Sequence, residues 1–324
     1  MQTVHPSTCF QLRDYTSHDI PPLVAILNSI FPDEPSTIEQ KEHWERTYPA
    51  DNPRVRRVAE TDDGAMVGYG ACMRPFWSSL QDTYNIFVAV DPAWQRRGIG
   101  QLCWQPWSLL PRRRASPNYA PVAGRTRLAR CVSWNRPASG RSAFASKSAL
   151  DMPTFDETPF LSSQHRAEAA GYQVITLAQA RAEDSNADQR LYDVFAATVV
   201  DVPFPGGDRA NPNYDTFRAN VLDAPNTNPD AIFIARQAGR MVGMTALELL
   251  PNAVGITGMT GVLAEYRGRG VAMALKLASF RYLRSHSYTE ARVHNDTTNP
   301  PILALNEKLG YRRLPGWLAW EKTL

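Results

Sequence analysis

The sequence predicts an α/β protein of the α+β kind: two tandem domains, each a mixed, mostly antiparallel sheet flanked by helices. Three observations carry this. The chain has 324 residues, enough for two cores of ordinary size. A short text occurs twice, as "VAVDPAWQRRGIG" at 88–100 and "TGVLAEYRGRGVA" at 260–272, and the copies align without a gap at an offset of 172. An offset that long suits a duplicated domain and not a solenoid repeat. Each copy also follows the same series of elements.

In the first copy an amphipathic helix is expected over 20–30. Strands follow over 55–60 and 65–76, joined by the turn "TDDG", and a third strand runs over 84–90. In the second copy the helix falls over 187–200 and the strands over 231–237, 240–250 and 254–262. A helix over 271–286 then places Ala274, Leu275, Ala278 and Tyr282 on one face. A short strand covers 290–294. The next helix, 299–310, has Pro300 at its start and Gly310 at its stop, and "WLAWEKTL" closes the chain as a strand.

Each repeated text is a strand-to-helix turn crowded with small residues. The backbone N–H groups of such a turn converge on one spot at the positive end of a helix, which makes an anion nest. Gly98 and Gly270 let the backbone come close to a pyrophosphate, and the flanking arginines add charge. The spacing is neither the dinucleotide fingerprint nor a P-loop.

With these residues in view, the sequence resembles the GCN5-related N-acetyltransferase superfamily, in a tandem arrangement. The closest stretches are "TGVLAEYRGRGVAMALKLASF" and "NDTTNPPILALNEKLGYRR". The resemblance implies acetyl-CoA or another acyl-CoA as co-substrate, held between splayed fourth and fifth strands, and no metal. The pyrophosphate would meet the backbone of Arg267, Gly268, Arg269, Gly270, Val271 and Ala272. The pantetheine would pair with Thr260, Gly261 and Val262, and Asn299 would hydrogen-bond its arm. In the first domain Val88, Val90, Gln95, Arg96, Arg97, Gly98, Ile99 and Gly100 correspond.

The implied reaction is direct attack of a primary amine on the thioester in a ternary complex. It needs a base for the amine proton and a donor for the departing thiolate. The family often has a tyrosine donor seven residues after the asparagine, but this chain has Asn306, an amide that gives up no proton at neutral pH. Glu248 is the expected base. His294, at the end of the fifth strand, is the second candidate, and Glu265 reads as an exposed charge.

Composition narrows the alternatives. Hydrophobic residues make up 43% and charged residues 21%, an ordinary globular balance. No apolar run is long enough to span a bilayer, and no basic region followed by an apolar one opens the chain, so a cytoplasmic protein without a leader is expected. Four cysteines without CxxC spacing fit a reduced compartment.

Between Asp91 and Asp151 there is no acidic residue, but there are ten arginines and Lys147. Removing these eleven leaves 24 basic against 32 acidic residues, so the rest of the chain is acidic and nucleic-acid binding is not the leading reading. Within this block, residues 101–147 carry five prolines and no helical or strand period. Three readings fit: a basic insertion, a degenerate domain, or a stretch translated out of frame between two compensating indels.

The expected division is therefore an N-terminal domain over 1–150 with 101–147 anomalous, a linker helix over 151–172, and a C-terminal domain over 173–324. The acceptor is a small-molecule or peptide amine, the assembly a monomer or homodimer. The segment 204–217 would line the acceptor side. A non-catalytic CoA-binding module and a nucleic-acid binder acting through 96–147 are the competing functions.

Overall fold

The computed structural model describes residues 10–74, 83–104, 127–129, 142–202 and 212–323. These fall into two units. The first takes 10–74, 83–104, 127–129, 142 and 318–323, and the second takes 143–202 and 212–317.

The first unit begins with β1 (Phe10–Asp14), α1 (Ile20–Ile30), α2 (Ile38–Thr47), β2 (Arg54–Thr61), β3 (Met66–Met73) and β4 (Thr83–Val90). α3 (Ile99–Trp104) and β5 (Arg127–Ala129) follow. Its sheet runs β1-β2-β3-β4-β5, antiparallel except for the β4–β5 pair. α1 starts with two prolines in its first turn, where no N–H is needed. It buries Leu23, Ile26 and Leu27 against Val58, Tyr69 and Ala89. α3 sets Ile99 and Cys103 against Ala59 and Val67.

α2 was not expected. It has no buried residue, so it carries no apolar stripe for a periodicity to find. Its local signal is a capping box: the Gln40 N–H donates to Thr37 Oγ1 at 3.1 Å and the Thr37 N–H donates to Gln40 Oε1 at 2.8 Å.

The second unit comprises β6 (Ser142–Asp151), α4 (Leu161–Ala169), β7 (Tyr172–Thr176), α5 (Leu177–Glu183), α6 (Ala187–Val199) and α7 (Tyr214–Phe217). It continues with β8 (Ile232–Gln237), β9 (Arg240–Leu249), β10 (Val254–Val262), α8 (Val271–Ser285), β11 (Glu290–Asp296) and α9 (Pro300–Lys308). The sheet order is β6-β11-β10-β9-β8-β7, and only β10 and β11 are parallel. Both faces are covered, which accounts for the near-continuous apolar texts of β8 and β9. On one face, Leu275, Phe280 and Leu283 of α8 pack against Phe233, Leu247 and Val293. On the other, Leu177, Leu191 and Phe217 from α5, α6 and α7 pack against Ile232, Ile234 and Met244.

The division differs from the expected one at two strands. β6 pairs along β11 from Asp151↔Glu290 to Ala145↔Asp296, so residues 143–151 lie in the second unit and not in a domain ending at 150. The last strand, β12 (Arg312–Thr323), starts five residues before the expected "WLAWEKTL". It gives its end to the first unit through Glu321↔Ala129 on β5. A strand's pattern sets which face is apolar but not which edge it joins. Of the anomalous segment, 105–126 and 130–141 lie outside the described residues. The remainder departs from the expectation: 101–104 belongs to α3, 127–129 is β5, and 142–147 opens β6.

Candidate active site

β10 and β11 pair from Val254↔Glu290 to Thr257↔Val293. Beyond that point β10 continues to Val262 beside β9, and β11 continues to Asp296 beside β6. The two strands thus separate into a fork. Where it opens, β10 bulges: its register with β9 jumps from Thr257↔Leu247 to Met259↔Ala246, leaving Gly258 unpaired and exposed. A Cβ on Gly258 would sit 3.2 Å from Glu248 Oε1. Thr260, Gly261 and Val262 lie on the edge of β10 that faces the fork. Behind them the hydroxyls of Thr245 and Thr260 are 2.8 Å apart.

β10 leads into a short 3-10 turn, Ala264–Tyr266, and then the Gly-rich turn. Gly268 and Gly270 have φ of 72° and 84°, the left-handed region where a side chain is strained. A Cβ on Gly270 would also come within 2.9 Å of Ser163 O. Gly270 caps α8, whose first helical N–H to find a partner in the turn is that of Ala274, at 3.0 Å from Gly270 O. The N–H groups of Val271, Ala272 and Met273 are left for a ligand or water, at the positive end of a 15-residue helix. Arg267 is anchored: its Nε donates to Val262 O at 2.8 Å and its Nη2 meets Asp201 Oδ2 at 2.5 Å. Arg269 and Gly268 are exposed. The fold thus sets Thr260–Val262 and Arg267–Ala272 along one continuous edge, turn and helix start.

Asn299 is the N-cap of α9, and its side chain makes no capping bond, so the amide is left for another partner. Asn306 is 4% exposed. Its Nδ2 donates to Asn295 Oδ1 at 2.7 Å, and its own Oδ1 has no partner among the described residues.

Glu248 is half-buried and accepts from Asn226 Nδ2 at 3.2 Å. Its neighbours Leu247 and Leu249 pack on the α8 side, which turns Glu248 to the opposite face. Ala291 and Val293 likewise face α8, so Arg292 and the exposed His294 share the face of Glu248. In register, Glu248 lies opposite Ile256 and Arg292 is the next residue across, with His294 two positions further along β11. Two strand spacings put Glu248 and His294 about 10 Å apart or more. They flank the fork on one face, too far apart to share one proton directly. Lys147 of β6 stands opposite His294 and is buried. The segment expected on the acceptor side, 204–217, has 204–211 outside the described residues. Its remainder forms α7 beside α6.

Arg292, Lys147 and, on the α8 face, Thr257, Lys276 and Tyr311 were missed by reading the sequence. Lys276 alone carried a signal. It stands one turn before Phe280 and two before Leu283, so the helical period assigns a lysine to the core. Among the described residues no cluster of three His, Cys, Asp or Glu could hold a metal, and no helix is long and apolar enough to cross a membrane.

The first copy repeats several features of the turn. Arg96 and Gly98 have φ of 62° and 85° where the second copy has Gly268 and Gly270. Gln95 Nε2 donates to Val90 O at 3.1 Å, as Arg267 does to Val262 O. Arg97 lies over Trp94 at 4.7 Å, as Arg269 lies over Tyr266 at 6.0 Å. Val88 and Val90 pair with Gly70 and Gly68, Ile99 opens α3, and Gly100 follows it.

A strand fork with a bulge, leading through a nest of N–H groups into a helix start, offers an extended strand edge continuous with an anion site. The chain matches the acetyltransferase (GNAT) family over residues 21–105 and 189–311, more than half its length, and belongs to that family. A mycothiol acetyltransferase of Thermomonospora curvata is 29% identical over 89 residues, which is 28% of this chain and 30% of that enzyme. The chain therefore spans about a third of that relative. Among solved structures, a tandem GNAT protein from the clavulanic acid biosynthesis pathway superposes with a TM-score of 0.63 at 16% identity, covering 97% of this chain and 98% of that one. The GCN5-related glucosamine N-acetyltransferase region of a fungal multi-domain β-N-acetylglucosaminidase gives 0.64 at 15%, covering 98% of this chain and 38% of that one. These likenesses are of fold.

Proposed function

We propose that the second unit transfers an acetyl group from acetyl-CoA to a primary amine by direct attack in a ternary complex. The observation that carries this reading is the open fork between β10 and β11, continuous with the turn at Gly268–Gly270 and the start of α8. The pyrophosphate takes the N–H groups of Arg267–Ala272, and their partial positive charge offsets its own. The pantetheine lies along Thr260–Val262 as an added strand and meets Asn299. That brings the thioester to the bulge at Gly258. Glu248, directly or through a water, receives the amine proton, and His294 lies at the far lip of the fork. Asn306 holds the sulfur end of the pantetheine.

The acceptor is a small molecule or peptide. The relatives are named for acetyl transfer involving mycothiol and glucosamine, and those names enter here only as a guide to the amine panel. The first unit is structural or shapes the acceptor side, and the protein works in the cytoplasm as a monomer or homodimer. Mixing the protein with acetyl-CoA and a panel of amines, and following free thiol release, tests the reading. Thiol release that depends on both partners is expected. Tight CoA binding with no turnover across a broad panel would instead favour a CoA-binding module.

A further inference from the structure

The end of β9 is held by a turn over residues 224–227 that the reaction scheme above does not use. Ala224 O closes the turn by accepting twice from Thr227, from its N–H at 3.0 Å and from its hydroxyl at 2.7 Å. Within it, Asn226 bonds to two consecutive residues of β9. Its backbone O accepts from the Leu249 N–H at 2.7 Å, and its Nδ2 donates to Glu248 Oε2 at 3.2 Å. A carboxylate only accepts, so the amide must turn its nitrogen toward it.

The two oxygens of Glu248 therefore have different surroundings. Oε2 is the oxygen that Asn226 holds. Oε1 lies over the bulge, where a Cβ on Gly258 would sit 3.2 Å from it. Gly258 is the residue left out of the register where the fork opens. We infer that Asn226 is the positioning residue of the base: it fixes one carboxylate oxygen so that the other is aimed at the opening of the fork. The inference rests on the acetyl-transfer reading of the same site.

Two effects follow from the contact. A glutamate side chain has three rotatable bonds, and holding one oxygen on a fixed turn removes that freedom before the amine arrives. A hydrogen-bond donor on the carboxylate also favours its charged form, the form that accepts a proton. The step served is the transfer of one proton from the attacking nitrogen to Glu248 Oε1, directly or through a water. The nitrogen bonds to the acetyl carbon as the carbon–sulfur bond breaks with its electron pair going to sulfur. Asn226 exchanges no proton, and Glu248 returns its proton to solvent.

The charged groups on the same face are Glu290 and Arg292 of β11, which pair with each other, His294 beyond them, and Asp151 and Lys147 of β6. Arg218 and Asp223, on the segment leading to Asn226, pair at 3.0 Å. All of these stay in place when Asn226 alone is changed, so a difference between variants reports the amide.

The test titrates the carboxyl carbon of Glu248 by NMR, in full-length protein carrying carboxyl-labelled glutamate. The signal is identified by its loss in Glu248→Gln. Asn226→Ala keeps the backbone bond to Leu249 and removes only the amide, whereas Asn226→Asp keeps the shape and sets a second carboxylate against Oε2. Glu248 should titrate about one pH unit higher in Asn226→Ala than in wild type, and higher again in Asn226→Asp. With acetyl-CoA and the most active amine of the panel, Asn226→Ala should lower kcat about tenfold, leave KM for acetyl-CoA unchanged, and have no further effect in a Glu248→Gln background. Equal titration in wild type and variants overturns the inference. So does a loss of kcat as large in the Glu248→Gln background as in wild type, or a full kcat in Glu248→Gln itself. All three leave acetyl transfer standing. No thiol release with any amine overturns the acetyl-transfer reading and the role of Asn226 with it. Asn226→Asp, isosteric with the native residue, carries the test if Asn226→Ala does not fold.

Discussion

The two turns at 95–100 and 267–272 have the same backbone but different surroundings. In both, two residues take left-handed φ, a side chain reaches back to the last carbonyl of the strand, and a cation lies over an aromatic ring. The strands that feed them differ. β10 bulges at Gly258, whereas β4 runs against β3 from Gly68↔Val90 to Met73↔Asn85 without a shift. The helix behind the second turn has 15 residues, and that behind the first is described from Ile99 to Trp104. The first copy also puts an arginine, Arg96, where the second has Gly268. The conformation of such a turn is fixed by local hydrogen bonds, whereas the fork beside the second turn depends on strands far away in sequence.

The largest effect should separate the two capping glycines. Gly270→Ala adds a methyl 2.9 Å from Ser163 O at a φ of 84°, whereas Gly98→Ala meets nothing within 4 Å. Gly98→Ala should cost about 1–2 kcal/mol from backbone strain alone. Gly270→Ala should exceed that and reduce acetyl-CoA turnover by about 100-fold, the order lost when a site is misplaced by an ångström. Calorimetric titration of wild type should give one CoA per chain; two equal sites would mean that the first turn is as competent as the second.

A second test uses the pH dependence of stability. Lys276 titrates near 7 in the folded unit and near its ordinary value of 10.5 when unfolded. Between those limits the unfolded chain binds one more proton. Stability should therefore rise with pH across that window, by about 1.4 kcal/mol per unit, and be lowest below it. Denaturant melts of wild type should slope this way from pH 7 to 9, and those of Lys276→Met should be flatter. No buried lysine is described in α3, so nothing comparable is expected from the first copy.

Gly258→Ala, whose Cβ would come 3.2 Å from Glu248 Oε1, should lower kcat by about tenfold with little change in KM if the bulge sets the base beside the thioester. An unchanged kcat would remove Glu248 from the reaction. The smallest effect is expected at the first turn: Arg96→Gly relieves a φ of 62° and should change stability by less than about 1 kcal/mol, because the backbone entropy of glycine offsets the relief. The reverse change in the second copy, Gly268→Arg, should be the more harmful of the two and should weaken CoA binding.

Much of this was legible in the sequence. The texts at 88–100 and 260–272 fixed both turns, because glycine at φ above zero and a helix start are local properties that a few residues encode. The strands of the second unit could be read from their apolar runs, and the helix over 271–286 from its period. Glu248 was singled out by its place at a strand end, and Asn299 and Asn306 by the family resemblance; their roles remain proposals. Four features had to come from the tertiary structure. α2 has no buried face to betray it. β6 and the end of β12 join edges that no pattern of theirs specifies. The bulge at Gly258 exists only as a mismatch of register between two strands. Lys276 of α8, Thr257 of β10 and Tyr311, just before β12, are far apart in the chain, and their burial on the α8 face is decided by packing. Local chemistry sets the turn, whereas non-local pairing and burial decide what stands around it.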